Sequence, residues 1–132
     1  MQRRGPIKFG QVILAAADVD TGLFRNYYKP YTTLATRTTL YVSGRDRAVG
    51  LSQWLYDAPR VGLTPPLFVA PGIDTINVTN VDLTTLGHGY ITEARAVLTD
   101  MQRLLITGEP PGKRMLRGKT NEKGEPYWEF GA

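Results

Sequence analysis

The apolar positions fall into runs of different period, and the period assigns each element. Val12-Ile13-Leu14-Ala15-Ala16-Ala17 is apolar without interruption and stops at Asp18. A run without alternation reads as a strand covered on both faces, as in a parallel sheet. Asp18-Val19-Asp20-Thr21-Gly22 follows as a turn rich in helix N-cap residues. Leu23, Phe24, Tyr27, Tyr28, Tyr31 and Leu34 then recur at the spacing of one helix face, and Pro30 should kink or divide that helix. Thr38 to Ser43 predicts a second buried strand, which runs into Gly44-Arg45-Asp46. Val49, Leu51, Trp54 and Leu55 predict a helix from Ala48 to Tyr56, ended by Asp57-Ala58-Pro59.

Arg60 to Pro66 reads as loop, and Leu67 to Gly72 as an extended stretch closing in a Pro-Gly turn. Ile73 to Val78 alternates, which predicts a strand with one less apolar face, placed near a sheet edge. A helix capped by Thr92 follows, with Ala94, Val97, Leu98, Met101, Leu104 and Leu105 on its apolar face, ended by Gly108 and Pro110-Pro111. The remainder is polar and glycine-rich except for Tyr127-Trp128-Glu129-Phe130, which should fold back onto the domain as a short strand or clasp.

This order predicts an α/β fold in which right-handed crossovers lay about three parallel strands side by side in sequence order, with helices flanking them. Residues 1–108 form the α/β part and 109–132 a polar, basic tail carrying the Tyr-Trp-Glu-Phe clasp. A chain of 132 residues is one domain or part of one, and a 42% hydrophobic content supports a real core. With no cysteine, a disulfide framework, a thiol nucleophile and a cysteine–zinc site are all excluded. No apolar run approaches the roughly 20 residues that span a bilayer. The basic Met1-Gln2-Arg3-Arg4 leads into Gly5-Pro6 rather than a signal-peptide core, so no export signal is read and the cytoplasm is the default expectation. The net charge is +4, and the charges are spread along the chain except near the C-terminus, where Lys113, Arg114, Arg117, Lys119 and Lys123 cluster with Glu122 and Glu125 among them. Without interleaved aromatics or a nucleic-acid motif this reads as a solvated tail, and no nucleic-acid partner is expected.

The candidate chemistry lies at strand ends. Asp46 closely follows the second strand, and His88, the single histidine, lies in Leu86-Gly87-His88-Gly89-Tyr90 after the third. Neighbouring strands lie about 4.8 Å apart, and open α/β sheets keep their sites at the carboxyl edge. A histidine acting as general base needs a partner that fixes its tautomer and stabilises its positive form, and a carboxylate there does both. Asp46 could also cap the helix from Ala48, and the two roles are compatible. The nucleophile is missing: Ser43 is flanked by Tyr41 and Arg45, and Ser52 by Gly50 and Trp54, so neither stands in a G-x-S-x-G elbow.

Four stretches carry a family resemblance: Val12–Asp20, Thr39–Ala48 with Leu51-Ser52, Pro71–Asp82, and Leu86–Tyr90. They fall in order along the chain, and the resemblance they anchor extends over most of residues 8 to 106. On these the chain resembles the C-terminal part of the α/β-hydrolase superfamily, in particular a bacterial esterase/lipase-like branch of poorly defined function. The resemblance implies a Ser–acid–His triad in that chain order. Asp46 matches its acid and His88 its base, while Asp18 or Asp20 matches an alternative acid position. It implies ester hydrolysis through an acyl-serine, small-molecule ester substrates and no cofactor. The absent elbow serine, N-terminal strands and oxyanion-hole loop imply a C-terminal fragment, inactive alone, or a degenerate relative. An apolar first strand lacking its neighbour would self-associate through the exposed sheet edge.

Two other readings compete. A strand followed by Asp18-x-Asp20 also resembles the start of a haloacid-dehalogenase phosphatase, with Asp18 as nucleophile, Asp20 as acid/base, magnesium on carboxylates and Ser43 binding phosphate. Gly22 stands where that pattern needs threonine, and no downstream lysine or acid pair is clear. The non-enzyme reading is a basic binding module acting through Lys113–Lys123.

Overall fold

In the computed structural model, which describes residues 9–15, 20–44, 61–64, 67–78 and 89–130, the first apolar run is strand β1 (Phe9–Ala15) and the second is β2 (Ala35–Gly44). They pair in parallel, with Val12 beside Thr38 and Leu14 beside Leu40. Between them run helices α1 (Thr21–Tyr27) and α2 (Lys29–Leu34). Asp20 caps α1, its Oδ1 accepting the Leu23 N–H at 2.9 Å. The division at Tyr28 comes where Pro30 enters the first turn of α2, since a proline lacks the N–H a continuous helix would need. The buried stripe is narrower than the apolar spacing suggests. Phe24 is buried and meets Phe68 edge-on with ring centroids 5.2 Å apart, whereas Leu23 and Tyr27 face solvent.

Strand β4 (Ile73–Asn77) lies parallel to the other side of β2, with Thr75 beside Leu40, and the short β3 (Leu63–Thr64) pairs with the end of β2. Residues 67–70, expected to be extended, belong to no strand; they lead into a turn in which Ile73 N–H donates to Ala70 O and Gly72 takes φ +83°.

The sheet does not end at β4. Strand β6 (Pro126–Phe130) pairs in parallel with it, Ile76 beside Trp128, and β5 (Leu116–Thr120) pairs antiparallel with β6. The order is β1-β2-β4-β6-β5, with β3 attached to β2. The expectation that Ile73–Val78 sits near an edge is therefore corrected. Its polar positions are satisfied inside the sheet: Asp74 pairs with Arg37 of β2, and Thr75 Oγ1 donates to Phe68 O at 2.8 Å. The parallel strands β1, β2 and β4 do lie in sequence order, as the crossovers predict.

Alternation sends the two sides of β2 and β4 into separate cores. Leu40, Val42 and Ile73 join Phe24, Val61, Phe68 and Ala70 on one face. Tyr41, Ile76, Val78 and Leu116 form the other, against Ala96, Val97 and Met101 of α3 (Gly89–Thr107) and Trp128 and Phe130 of β6. Helix α3 begins before Thr92, which falls in its first turn. Its inward face carries Val97, Asp100, Met101 and Leu104, while Leu98 and Leu105 are exposed. A short 3-10 turn (Pro111–Lys113) then leads through Met115, at φ 65°, into β5. Trp128 lies over Gly112 and Gly118, where an added Cβ would come within 3.5 Å of the ring. The predicted helix from Ala48 to Tyr56, with Ser52, lies outside the described residues.

Candidate active site

Strand β2 ends at Gly44, two residues before Asp46, and α3 begins at Gly89, one residue after His88. Asp46, His88 and Asp18 themselves lie outside the described residues. The direction of α3 follows from two contacts. Gly108, just past its end, lies against Gln11 of β1, while Asp100 bonds Tyr41, which is in register with Ala15 of β1. Four residues along β1 span about 13 Å and eight along the helix about 12 Å, so the two elements run antiparallel at matching pitch. The N-terminus of α3 therefore points to the carboxyl edge of the sheet. Extended to Gly89, the helix reaches roughly 16 Å past the level of Tyr41, and β2 reaches roughly 10 Å past it at Gly44. The end of β2 and the start of α3 thus both lie toward the carboxyl edge of the sheet.

Of the sequence candidates that are described, Asp20 has one carboxylate oxygen engaged as the cap of α1. Ser43 is part-buried in β2, its N–H donating to Gly62 O at 3.0 Å. It stands inside β2. Among the described residues, no group of three or more histidine or carboxylate side chains is placed to hold a metal ion. No described helix is long and apolar enough to cross a membrane.

Sequence reasoning missed a buried polar cluster beneath α3. Tyr41 Oη donates to Asp100 Oδ2 at 2.5 Å, and Arg114 Nε lies 3.3 Å from Asp100 Oδ1. All three side chains are buried. Burial pushes the Asp100 carboxyl above its ordinary value, opposed by the Tyr41 hydrogen bond and the Arg114 and Arg103 charges. Burial and then the Asp100 bond and charge push the Tyr41 phenol far up, so it remains a donor. Nε, Nη1 and Nη2 of Arg114 and Oδ1 of Asp100 make no hydrogen bond among the described residues, so the two groups meet as an ion pair only. Arg114 is accordingly not part of a solvated tail. A period-2 reading of β2 does place Tyr41 inward, but nothing in the spacing marks Asp100 or Arg114 as its partners.

A largely parallel sheet with helices on both faces defines the α/β class, and its carboxyl edge is where that class keeps its chemistry. A family model described as alpha/beta hydrolase of unknown function (DUF900) matches residues 1–107, and the chain belongs to that family. The hairpin of β5 and β6 lies beyond the matched span. No curated protein and no solved structure matches the chain.

Proposed function

We propose that this chain supplies the acid and the base of a serine hydrolase acting on ester bonds. What supports the reading is that β2 ends and α3 begins toward the same edge of the sheet, with Asp46 and His88 the adjoining chemistry-bearing residues in sequence. His88 takes the proton of a serine hydroxyl as it attacks the ester carbonyl, then gives it to the departing alkoxide. Asp46 holds the imidazole in the needed tautomer and stabilises its charged form. Water then repeats the sequence on the acyl-serine. The capping bond of Asp20 favours Asp46 over Asp20 as the acid. The nucleophile comes from outside these 132 residues, because Ser43 and Ser52 both lack the elbow pattern. The chain is then the C-terminal part of a longer hydrolase, inactive by itself. No cofactor enters this chemistry.

The test uses a form of the protein extended upstream through a G-x-S-x-G serine. His88→Ala and Asp46→Asn should each abolish most esterase activity, and Asp18→Asn should matter less. Magnesium-dependent phosphatase activity that disappears in Asp18→Asn would overturn the assignment. The 132-residue chain itself should take no label from a fluorophosphonate probe.

A further inference from the structure

The two ends of the sheet differ in character. Among the described residues β1 pairs only with β2, and β5 only with β6, so each leaves a row of backbone N–H and C=O groups open. Strand β5 carries Arg117 and Lys119, charges of the kind that keep edge strands apart. Strand β1, Phe9–Ala15, carries neither a charge nor a proline. We propose that two copies of this chain join through their β1 strands, antiparallel about a two-fold axis at Val12, so that one sheet runs through the dimer. The dimer does not depend on the acid–base reading above.

The helices on both sides of the sheet turn exposed apolar residues toward this same edge. On one side, Arg25 of α1 lies 4.8 Å over the Phe68 ring, and Phe68 O accepts from Thr75 of β4. That flank of α1 faces β4. Leu23 and Tyr27 stand about 200° around the helix from Arg25, on the flank toward β1, and both are exposed. On the other side, Leu98, Met101, Leu105 and Gly108 recur at helical spacing and form one stripe of α3. Its end lies against β1, where a Cβ added at Gly108 would stand 3.6 Å from Gln11 Nε2. Leu98 and Leu105 of that stripe are exposed. Phe9, also exposed, shares a strand face with Ile13, which packs on the α3 side.

This surface is complementary to itself. A two-fold axis perpendicular to the sheet keeps each layer opposite its own copy, α1 to α1 and α3 to α3. Along the strands Phe9 stands beside Ala15 of the second copy, Gln11 beside Ile13, and Val12 beside Val12, with no like charges opposed. The same operation on β5 about Gly118 would set Arg117 against Lys119. Phe9, Leu23, Tyr27, Leu98 and Leu105 are each more than half exposed. At roughly 100 Å² apiece they offer roughly 1,000 Å² across two copies before the strand backbone is counted, the size a specific interface needs. None of the five is charged, so the surface calls for a second apolar surface and not for an acidic or basic partner.

The full chain should sediment at twice the 14.7 kDa of one copy. Leu98→Lys with Leu105→Lys changes only exposed positions and should weaken the association by about a hundredfold, with the near-ultraviolet dichroism of Trp128 unchanged. The chain has no cysteine, so a single introduced thiol reports one place. Directly opposed residues of antiparallel strands lie about 4.5–5.5 Å apart at Cα, within disulfide reach. Val12→Cys should therefore link two copies on mild oxidation, and Thr120→Cys, on the β5 edge, should not. A monomer at every concentration leaves the β1 edge to another partner or to upstream chain, and overturns the dimer. So does a dimer that links through Thr120→Cys and not Val12→Cys, or one indifferent to both lysines. If the lysine variant does not fold, the pair of cysteine variants decides.

Discussion

Tyr41 and Asp100 are 59 residues apart in the chain and joined by a 2.5 Å hydrogen bond in the fold. The bond fastens the second strand of the sheet to the long helix packed on it, and Arg114, in the turn before β5, lies 3.3 Å from the other carboxylate oxygen. Burial raises both partners above their ordinary pKa values. The phenol therefore keeps its proton and donates, and the carboxyl bears the cost of desolvation. This is a specific contact against the apolar cluster beneath α3, and its consequences are measurable.

The first concerns pH. Because burial raises the Asp100 carboxyl, the folded chain binds that proton more tightly than the unfolded chain does. Its contribution to stability is full below the unfolded value of about 3.9 and is lost as pH rises through the folded value. An asparagine at this position does not titrate. Urea unfolding of wild type and Asp100→Asn between pH 7 and pH 4 should show the difference moving in favour of wild type as the solution is acidified. A difference moving the other way would mean that the charge of Arg114 outweighs desolvation.

The second concerns the ion pair. The side chains of Arg114 and Asp100 are 0% and 2% exposed. Arg114→Met leaves a buried carboxylate without its cation and should cost about 3–5 kcal/mol. Asp100→Asn combined with Arg114→Met removes both charges and should recover a large part of that loss. Denaturant melts of the two variants make the comparison; equal losses would show that Arg114 acts through packing and not through charge.

How much was legible in the sequence depended on whether a residue's role was local. The β1 and β2 runs, the break near Pro30 and the apolar core of α3 all follow from short-range period, and the structure has them. Strand β5 did not, because Arg117-Gly118-Lys119-Thr120 has no alternation and lies mostly in solvent. It is a strand because Leu116 is buried, Gly118 lies beneath Trp128, and β6 supplies the ladder. The edge assignment of β4 failed for a related reason. The alternation of residues 73–78 suggested an edge, and Arg37, the partner of Asp74, stands on another strand. Asp100 and Arg114 were hidden likewise, an acid on a helix and a base in a charged run, each explained only by a contact distant in sequence. Asp46 and His88 stand out in the sequence by their places after strands, and both lie outside the described residues.

A third prediction separates two glycines of similar backbone. Gly72 has φ +83° and Gly124 φ +77°, both in the left-handed region that disfavours a side chain. At Gly124 nothing lies within 4 Å of an added Cβ, whereas at Gly72 it would stand 2.9 Å from Thr32 Cγ2. Gly124→Ala should cost about 1–2 kcal/mol from backbone strain alone. Gly72→Ala should cost about 1 kcal/mol more, because α2 must yield to the new methyl. Thermal melts of the two variants give the comparison, and equal losses would show that the Thr32 side chain moves aside freely.

The last prediction is that the hairpin beyond the family-matched span is structurally required. Removing residues 109–132 takes away Leu116, Trp128 and Phe130 from the core beneath α3. It also strips β4 of its pairing with β6 and leaves its backbone as an open edge. Ile76, fully buried in the intact chain, loses Trp128 beside it. Asp100 loses Arg114 and stays desolvated beneath α3. Each loss acts on the same layer, so they should compound instead of merely adding. The shortened chain should unfold without cooperativity or associate through its bare strand, as seen by near-ultraviolet circular dichroism and by mass in solution. Trp128→Ala in the full chain isolates the packing share and should cost about 3 kcal/mol, the low end for a tryptophan because this ring is only part-buried. A shortened chain that keeps the wild-type association state and melts at the wild-type temperature would show that the first 108 residues hold their own core, and that β5 and β6 merely rest on it.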